Sequence, residues 1–378
     1  MSTPQTPTGR LLSLDVFRGA TIAGMMLVNN PGDWGHVYAP LLHAKWHGWT
    51  FTDLIFPFFL WIVGVAMTLS FAKRVERGDS KHNLLLHALR RSAIIFGLGL
   101  FLNGFPYFDL SIIRIPGVLQ RIAVCYLLGS VIFLYSSFRW QLLWTFALLA
   151  VYWLLVALVP VPGFGAGVLE LKGNLAWYVD SQLLAGHTWR GAPLAGFDPE
   201  GIVSTLPAIS TLLFGILTGH MLRMPRSQEE KTAWMFVVAC ALLFAGVVMD
   251  NWLPINKNLW TSSYSVFMAG MALLIFACCY WIIDVKGYRR GSGPFAIYGV
   301  NAITVFVLAG LVGRLMGIIH VGTTDDGKAL SLKSWIYGTL FEPIADPYNA
   351  SLLFALAFVL FLYGVAYVMY RKKWILKV

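Results

Sequence analysis

The chain has 378 residues, 58% hydrophobic and 12% charged, with a mean hydropathy of +0.68 and a formal net charge of +10. A soluble domain carries roughly twice that charged fraction, so the composition excludes an ordinary soluble protein and places most of the chain in lipid. The basic excess reads as membrane topology and anionic-lipid contact rather than a nucleic-acid surface, because the basic loops lack the regular aromatic interleaving that base stacking needs.

In chain order, Met1–Arg10 is polar and rich in Ser, Thr and Pro; a disordered cytoplasmic tail is expected there, with no cleavable signal. Apolar runs approaching the ~20 residues that cross a hydrocarbon core then recur along the whole length. They predict ten helices near 12–29, 53–71, 92–103, 115–134, 141–159, 205–222, 233–250, 261–283, 294–319 and 349–370. The expected fold is an all-α polytopic membrane helix bundle, a single transmembrane domain over 1–378. With the N-terminus inside, Arg10, the Lys73–Arg91 cluster, Arg139, Arg223, Arg226, Lys231, Lys286, Arg289, Arg290 and the Arg371-Lys372-Lys373 tail share one side. That asymmetry, and an even helix count, put both termini in the cytoplasm.

Three outer connections are long: 31–52, 160–204 (the long periplasmic loop) and 322–348. Long ordered loops usually bind or cap something. The second holds Trp177, Tyr178, Trp189 and the run Phe197-Asp198-Pro199-Glu200-Gly201; the third holds Asp325, Asp326, Glu342 and Asp346. Aromatic rings beside carboxylates suit a sugar, although Trp and Tyr also gather at any membrane interface.

The first connection carries His43 between two apolar runs, flanked by Trp46, His47, Trp49 and Asp53. A histidine there can hold or pass a proton near neutral pH. It reads as a catalytic group, a metal ligand or an interfacial residue. The metal reading is disfavoured: His43 and His47 stand at i, i+4, but no third ligand follows at motif spacing and the segment lacks the glutamate of a zinc hydrolase. No Gly-rich phosphate loop follows a strand, and no serine nucleophile motif is visible. The four cysteines, Cys125, Cys240, Cys278 and Cys279, fall within spans and form no CxxC pair.

Polar side chains inside spans are costly and usually face a protein interior or a water-filled path. Asp15 and Arg18 open the first helix at i, i+3 and can pair. Asn29 and Asn30 end it, either as caps or as donors to a carbonyl. The stretch from Arg114 to Gln120 and Arg121 opens the fourth span, so Arg121 falls inside the bilayer rather than at its rim, and a buried guanidinium needs a carboxylate, phosphate or carbonyl partner. Asn256, Lys257 and Asn258 cluster before the eighth span, beside Trp260, and Asn301 lies in the ninth.

Several stretches together resemble the heparan-alpha-glucosaminide N-acetyltransferase family of multi-pass acyltransferases. They are Ser13-Leu-Asp15-Val-Phe-Arg18-Gly19, Val28-Asn29, His43-Ala-Lys-Trp46-His-Gly48 and Asp53-Leu-Ile-Phe56-Pro57, followed by Arg114-Ile-Pro116-Gly117-Val-Leu-Gln120-Arg121 and Asp198-Pro-Glu200-Gly201. The later ones are Pro254-Ile-Asn256-Lys257-Asn258-Leu-Trp260, Asp284-Val-Lys-Gly287 and Arg371-Lys372-Lys373. The resemblance implies transfer of acetyl from cytoplasmic acetyl-CoA to the amino group of a glucosamine-type sugar across a bacterial inner membrane, without a metal. It maps the catalytic histidine onto His43 and its asparagine partner onto Asn29.

On that reading Asp53 orients the imidazole. Arg18 meets the CoA phosphates, while Gln120, Arg121 and Asn301 satisfy the amides of the pantetheine arm. Asn256, Lys257 and Asn258 line the CoA path, and Trp46, Asp198 and Glu200 bind the sugar. Acetyl-CoA, an amino sugar or glycan, the bilayer and a homodimer partner are the expected associations, with no nucleic acid. Two departures are expected: no counterpart to the large luminal domain before the first shared span, and a longer stretch from Asn30 to Leu42. The rival readings are a transporter of amino sugars or chitin fragments, and an acyltransferase for another outer-face glycan.

Overall fold

The computed structural model describes residues 11–323 and 327–375. The tail expected to be disordered, and Asp325 and Asp326, lie outside the described residues. Among the described residues the regular structure is almost wholly helical, in keeping with an all-α polytopic bundle. In order the helices are α1 (Leu12–Asn29), α2 (Phe51–Glu76), α3 (Lys81–Gly104), α4 (Val118–Tyr135), α5 (Phe138–Leu158), α6 (Leu175–Leu183) and α7 (Thr205–Arg223). There follow α8 (Gln228–Asp250), α9 (Ser262–Tyr280), α10 (Ser292–Val300), α11 (Ala302–Ile318), α12 (Leu332–Leu340) and α13 (Pro347–Arg371). Strands β1 (His320–Thr323) and β2 (Ala329–Ser331) pair antiparallel.

Each of the ten expected spans is helical. Among the described residues, eight helices are long and apolar enough to cross a membrane: α2, α3, α4, α5, α7, α8, α9 with the π-helical turn Trp281–Val285, and α13. Helix α1, which carries Asp15, Arg18 and Asn29, is not one of them. The main correction concerns 294–319, expected as one helix. It is α10 and α11, bent by 82° at Asn301. There the Asn301 amide donates to Trp374 O at 3.0 Å, and an amide that bonds elsewhere competes with helix continuation. Helices α6 and α12 and the β1–β2 pair were not expected, being too short to give a long apolar run.

The described residues form two compact units. The first comprises 11–43, 50–55, 282–323 and 327–375. In it α1 packs on α10 at two glycines: a Cβ on Gly19 would lie 1.7 Å from Phe295 O, and one on Gly299 2.2 Å from Asp15 O. Small residues are what lets membrane helices approach this closely. The residue preceding α1, Leu11, offers no capping side chain, and Asp284 Oδ2 supplies the acceptor instead, 3.1 Å from Ser13 N. The first helix is thus fixed at its start, and its end leads into the connector that carries His43.

The second unit comprises 44–49 and 56–281. Its helices α2 and α7 cross at Gly64 and Gly215, whose added Cβ atoms would meet Leu212 O and Trp61 O at 2.0 Å each. The 160–204 loop belongs to the folded body of this unit. Val161, Leu175 and the fully buried Phe197 share a core with Tyr152, Val156, Leu253 and Leu259. Within that core the Tyr152 hydroxyl donates to Leu259 O at 2.8 Å.

Candidate active site

The connector between α1 and α2 is irregular apart from a 3-10 turn at Ala39–Leu41, so His43 and His47 are not on one helical face. Thr50 precedes α2, and Asp53 stands three residues later. Asp53 Oδ2 accepts Thr50 N–H at 3.0 Å, the reach of a third helical residue back to the cap that a capping box uses. The Thr50 hydroxyl lies 2.5 Å from Leu42 O and 3.1 Å from Asp53 Oδ2. It thereby ties the residue before His43 to the carboxylate. The other carboxylate oxygen, Oδ1, is 2.6 Å from His43 Nδ1. Asp53 is 1% exposed at its side chain and His43 48%. A helix N-terminus favours an anion at this position. A carboxylate on Nδ1 selects the tautomer whose lone pair is on Nε2, the nitrogen a substrate would meet.

Asn29 is the exposed last residue of α1. Among the described residues no hydrogen bond joins it to His43, so the expected Asn–His pair is not made directly. The segment between them is held elsewhere: Gly32 N donates to Ser351 O at 3.2 Å and Asp33 N to Ser351 Oγ at 3.0 Å. Arg18 is engaged by Asp15 Oδ1 (3.1 Å) and Gly299 O (3.3 Å).

The second unit holds the other expected residues, and several are bound internally. Arg114 grips Asp198 with two parallel bonds, Nε to Oδ2 at 2.8 Å and Nη2 to Oδ1 at 2.6 Å. Asp198 also accepts from Trp189 N and Glu200 N, each at 2.9 Å. Four donors from the protein itself thus fill its lone pairs. Arg114 Nη2 reaches Glu200 Oε2 at 2.5 Å, and Lys257 Nζ lies 3.7 Å from Glu200 Oε1. Burial pushes the Glu200 carboxyl up, but the charges of Lys257 and Arg114 outweigh it and hold it at about 2. Arg114 is itself held above its ordinary value: burial works against its charge, and the bond to Asp198 with the charges of Glu200 and Asp198 prevails.

Asn256 is likewise occupied. Its Oδ1 accepts Leu259 N at 2.9 Å, and its Nδ2 lies 3.3 Å from His47 Nδ1. Trp46 donates to Leu169 O at 2.9 Å and packs on Phe197, ring centroids 5.6 Å apart. Asn258 is half-buried.

Gln120 and Arg121 differ, because they keep unused donors. Arg121 is 2% exposed and lies over the Trp260 ring at 5.1 Å. Its Nη2 donates to Gly201 O (3.0 Å) and Ser204 Oγ (2.5 Å). Its Nε and Nη1, and Gln120 Nε2, are buried with no hydrogen-bond partner among the described residues. Buried donors of this kind normally have a partner in water or a ligand. Among the described residues no cluster of three metal-ligating side chains occurs.

Three groups escaped the sequence reading. Thr50 was visible as the first residue of a Thr-x-x-Asp capping pattern. Arg314, half-buried in α11, donates to Gly310 O at 3.0 Å within its own helix. Asp180 on α6 is fully buried; its Oδ1 accepts Ile202 N at 2.9 Å, and a Cβ on Gly201 would lie 1.8 Å from its Oδ2. Burial, with the nearby Asp198 charge, pushes the Asp180 carboxyl from 3.8 up to about 7 against the bond from Ile202 N and the Arg121 charge. The folded state therefore binds more protons than the unfolded chain between those values. Stability should rise as pH falls from about 7 toward 4, by up to about 1.4 kcal/mol per pH unit from this group. Thermal melts of Asp180→Asn from pH 8 to 5 should show a flatter dependence than the parent chain; parallel curves would remove Asp180 as the cause.

The sequence pattern of the family described as heparan-alpha-glucosaminide N-acetyltransferase, catalytic, matches residues 10–247. The heparan-alpha-glucosaminide N-acetyltransferase of Homo sapiens is 31% identical over 353 residues, covering 79% of this chain and 52% of the human protein. That of Mus musculus is 29% identical over 357 residues, covering 81% and 54%. The chain thus spans about half the length of these relatives. An undecaprenyl-diphosphatase of Hyphomonas neptunium is 25% identical over 120 residues, 31% of this chain. The matched segment runs from the start of α1 into α8, more than half of the chain, and includes the His43–Asp53 pair and Arg114 with Asp198 and Glu200, so the chain belongs to the heparan-alpha-glucosaminide N-acetyltransferase catalytic family.

Proposed function

We propose that this chain is a transmembrane N-acetyltransferase that carries the acetyl group of acetyl-CoA to the amino group of a glucosamine-type acceptor. The observation that carries this reading is the half-exposed His43 imidazole on the buried Asp53 carboxylate, 2.6 Å apart. A neutral imidazole with Nδ1–H on Asp53 offers Nε2 as a base. As the amine attacks the thioester carbonyl, Nε2 takes its proton. The new C–N bond forms, the C–S bond breaks, and the CoA thiolate leaves and is protonated. General-base help of this kind is typically worth about 10²–10⁴ in rate.

Asn29, exposed at the end of α1, is our candidate donor to the thioester oxygen as its charge develops. Within the second unit, the unused donors of Gln120 and Arg121 suit carbonyl oxygens of a ligand held by that unit. The distribution of Lys and Arg favours the basic loops on the cytoplasmic side, which would put acetyl-CoA there and the acceptor opposite; residence in a bacterial inner membrane rests on the family resemblance.

The test uses purified chain reconstituted in vesicles, with isotope-labelled acetyl-CoA on one side and glucosamine on the other. Labelled N-acetylglucosamine should form only when the donor is on the side of the basic loops. Absence of product with donor and acceptor on both sides would overturn the assignment.

A further inference from the structure

A second histidine–carboxylate pair lies on the same connector, within the first unit. Asp33 Oδ2 is 2.6 Å from His36 Nδ1, and Asp33 Oδ1 accepts Gly35 N at 2.9 Å. The bond from Gly35 N and the bond from His36 hold the Asp33 carboxyl below its ordinary value, so the group is an anion at neutral pH. Lys333 does not neutralise it by direct pairing; its ammonium lies over the Phe354 ring, 5.8 Å from the centroid.

The segment is fixed rather than draped. The Ser351 hydroxyl donates to Asp33 O at 2.9 Å, and the Tyr38 hydroxyl donates to Asn349 Oδ1 at 2.9 Å. The rings of His36 and Tyr38 each stand 5.4 Å from the Tyr348 ring. Gly32 has no room for a side chain, since a Cβ there would lie 2.5 Å from the Tyr337 ring. Pinning of this kind holds the backbone, yet the functional ends stay in the open. The Asp33 and His36 side chains are 40% and 44% exposed, and Tyr38, Tyr348 and Trp34 are also exposed.

We propose that Asp33, His36, Tyr38 and Tyr348 form a binding subsite for a protonated amino sugar on the acceptor side of the protein. Each Asp33 oxygen already accepts one bond and keeps a lone pair for an ammonium or a hydroxyl. Tyrosine faces attract both a cation and the C–H face of a pyranose ring. A neutral or acetylated sugar would lose the charge-assisted part of this contact, so the subsite prefers substrate over product. Asp33, His36 and Tyr38 lie ten, seven and five residues before His43 on one ordered connector, which makes the subsite a place to hold an acceptor longer than one sugar. The ligand class rests on the proposed acetyl transfer, whereas the binding itself can be tested without it.

The experiment titrates the glucosamine disaccharide and its fully N-acetylated form into the full chain in nanodiscs, carrying His43→Ala so that no transfer intervenes. The free-amine disaccharide should bind about ten-fold more tightly than the acetylated one. Asp33→Asn in that background should remove the preference while the acetylated form binds as before, and Tyr348→Leu should weaken both. Melting temperatures near the parent's show that the connector still folds. A preference that survives Asp33→Asn, or none in the His43→Ala parent, overturns the subsite. Were the chain with His43 intact to transfer no acetyl while the preference held in the His43→Ala background, the proposed reaction would fail and the subsite stand.

Discussion

Replacing His43 by alanine is expected to lower kcat for acetyl transfer to glucosamine by about 10²–10⁴-fold while leaving the melting temperature nearly unchanged. The imidazole is half-exposed and packs little, so its loss removes chemistry rather than core. Asp53→Asn should cost activity of the same order for a different reason. An asparagine amide facing Nδ1 can donate to it, which moves the proton to Nε2 and removes the base. Thr50→Val tests the next link, because it deletes the hydroxyl near Leu42 O and Asp53 while keeping the backbone N–H bond. Wild-type kcat in His43→Ala would sink the mechanism. A covalent acetyl-histidine is the competing scheme, and it predicts labelled acetyl on the protein in the absence of acceptor.

The helices were legible because long apolar runs have few alternatives to a membrane helix. The 82° break at Asn301 was not, since the side-chain bond that stabilises it goes to Trp374, 73 residues away. The site divides in the same way. His43 and Asp53 were legible as residue types able to share a proton, and they lie close enough in sequence to meet. Asp198 and Glu200 read as sugar-binding acids because their partner Arg114 lies more than eighty positions upstream. Sequence shows the charge of a carboxylate and not how many donors already surround it. Asp180 was missed because a single acid in a loop has no pattern; only burial against Gly201 makes it unusual.

The largest effect on stability is expected at Arg114. It provides the two-pronged grip on Asp198, it also pairs with Glu200, and both carboxylates are buried. Arg114→Ala leaves Asp198 without a directly paired cation and Glu200 with only Lys257 at 3.7 Å. Removing one partner of a buried ion pair typically costs about 3–5 kcal/mol. Arg114→Lys should fall between, since one ammonium cannot reproduce the parallel bonds to Asp198. The pH dependence supplies a signature that mere loss of packing would not give. In the parent, Glu200 sits at about 2 against an ordinary 4.5, so its contribution is present above 4.5 and is lost as pH falls toward 2. Without Arg114, Lys257 and Arg121 are left to oppose burial and the Glu200 carboxyl moves up, so acidification protonates it sooner than in the parent and relieves a buried charge. Acidification from pH 7 to 5 should therefore narrow the gap in melting temperature between Arg114→Ala and the parent. Adding Asp198→Asn and Glu200→Gln to Arg114→Met should recover much of the loss at pH 7, because a neutral network leaves no uncompensated charge. A gap that stays constant with pH, with no recovery in the triple variant, would mean that Arg114 acts through packing on Trp189 rather than through charge.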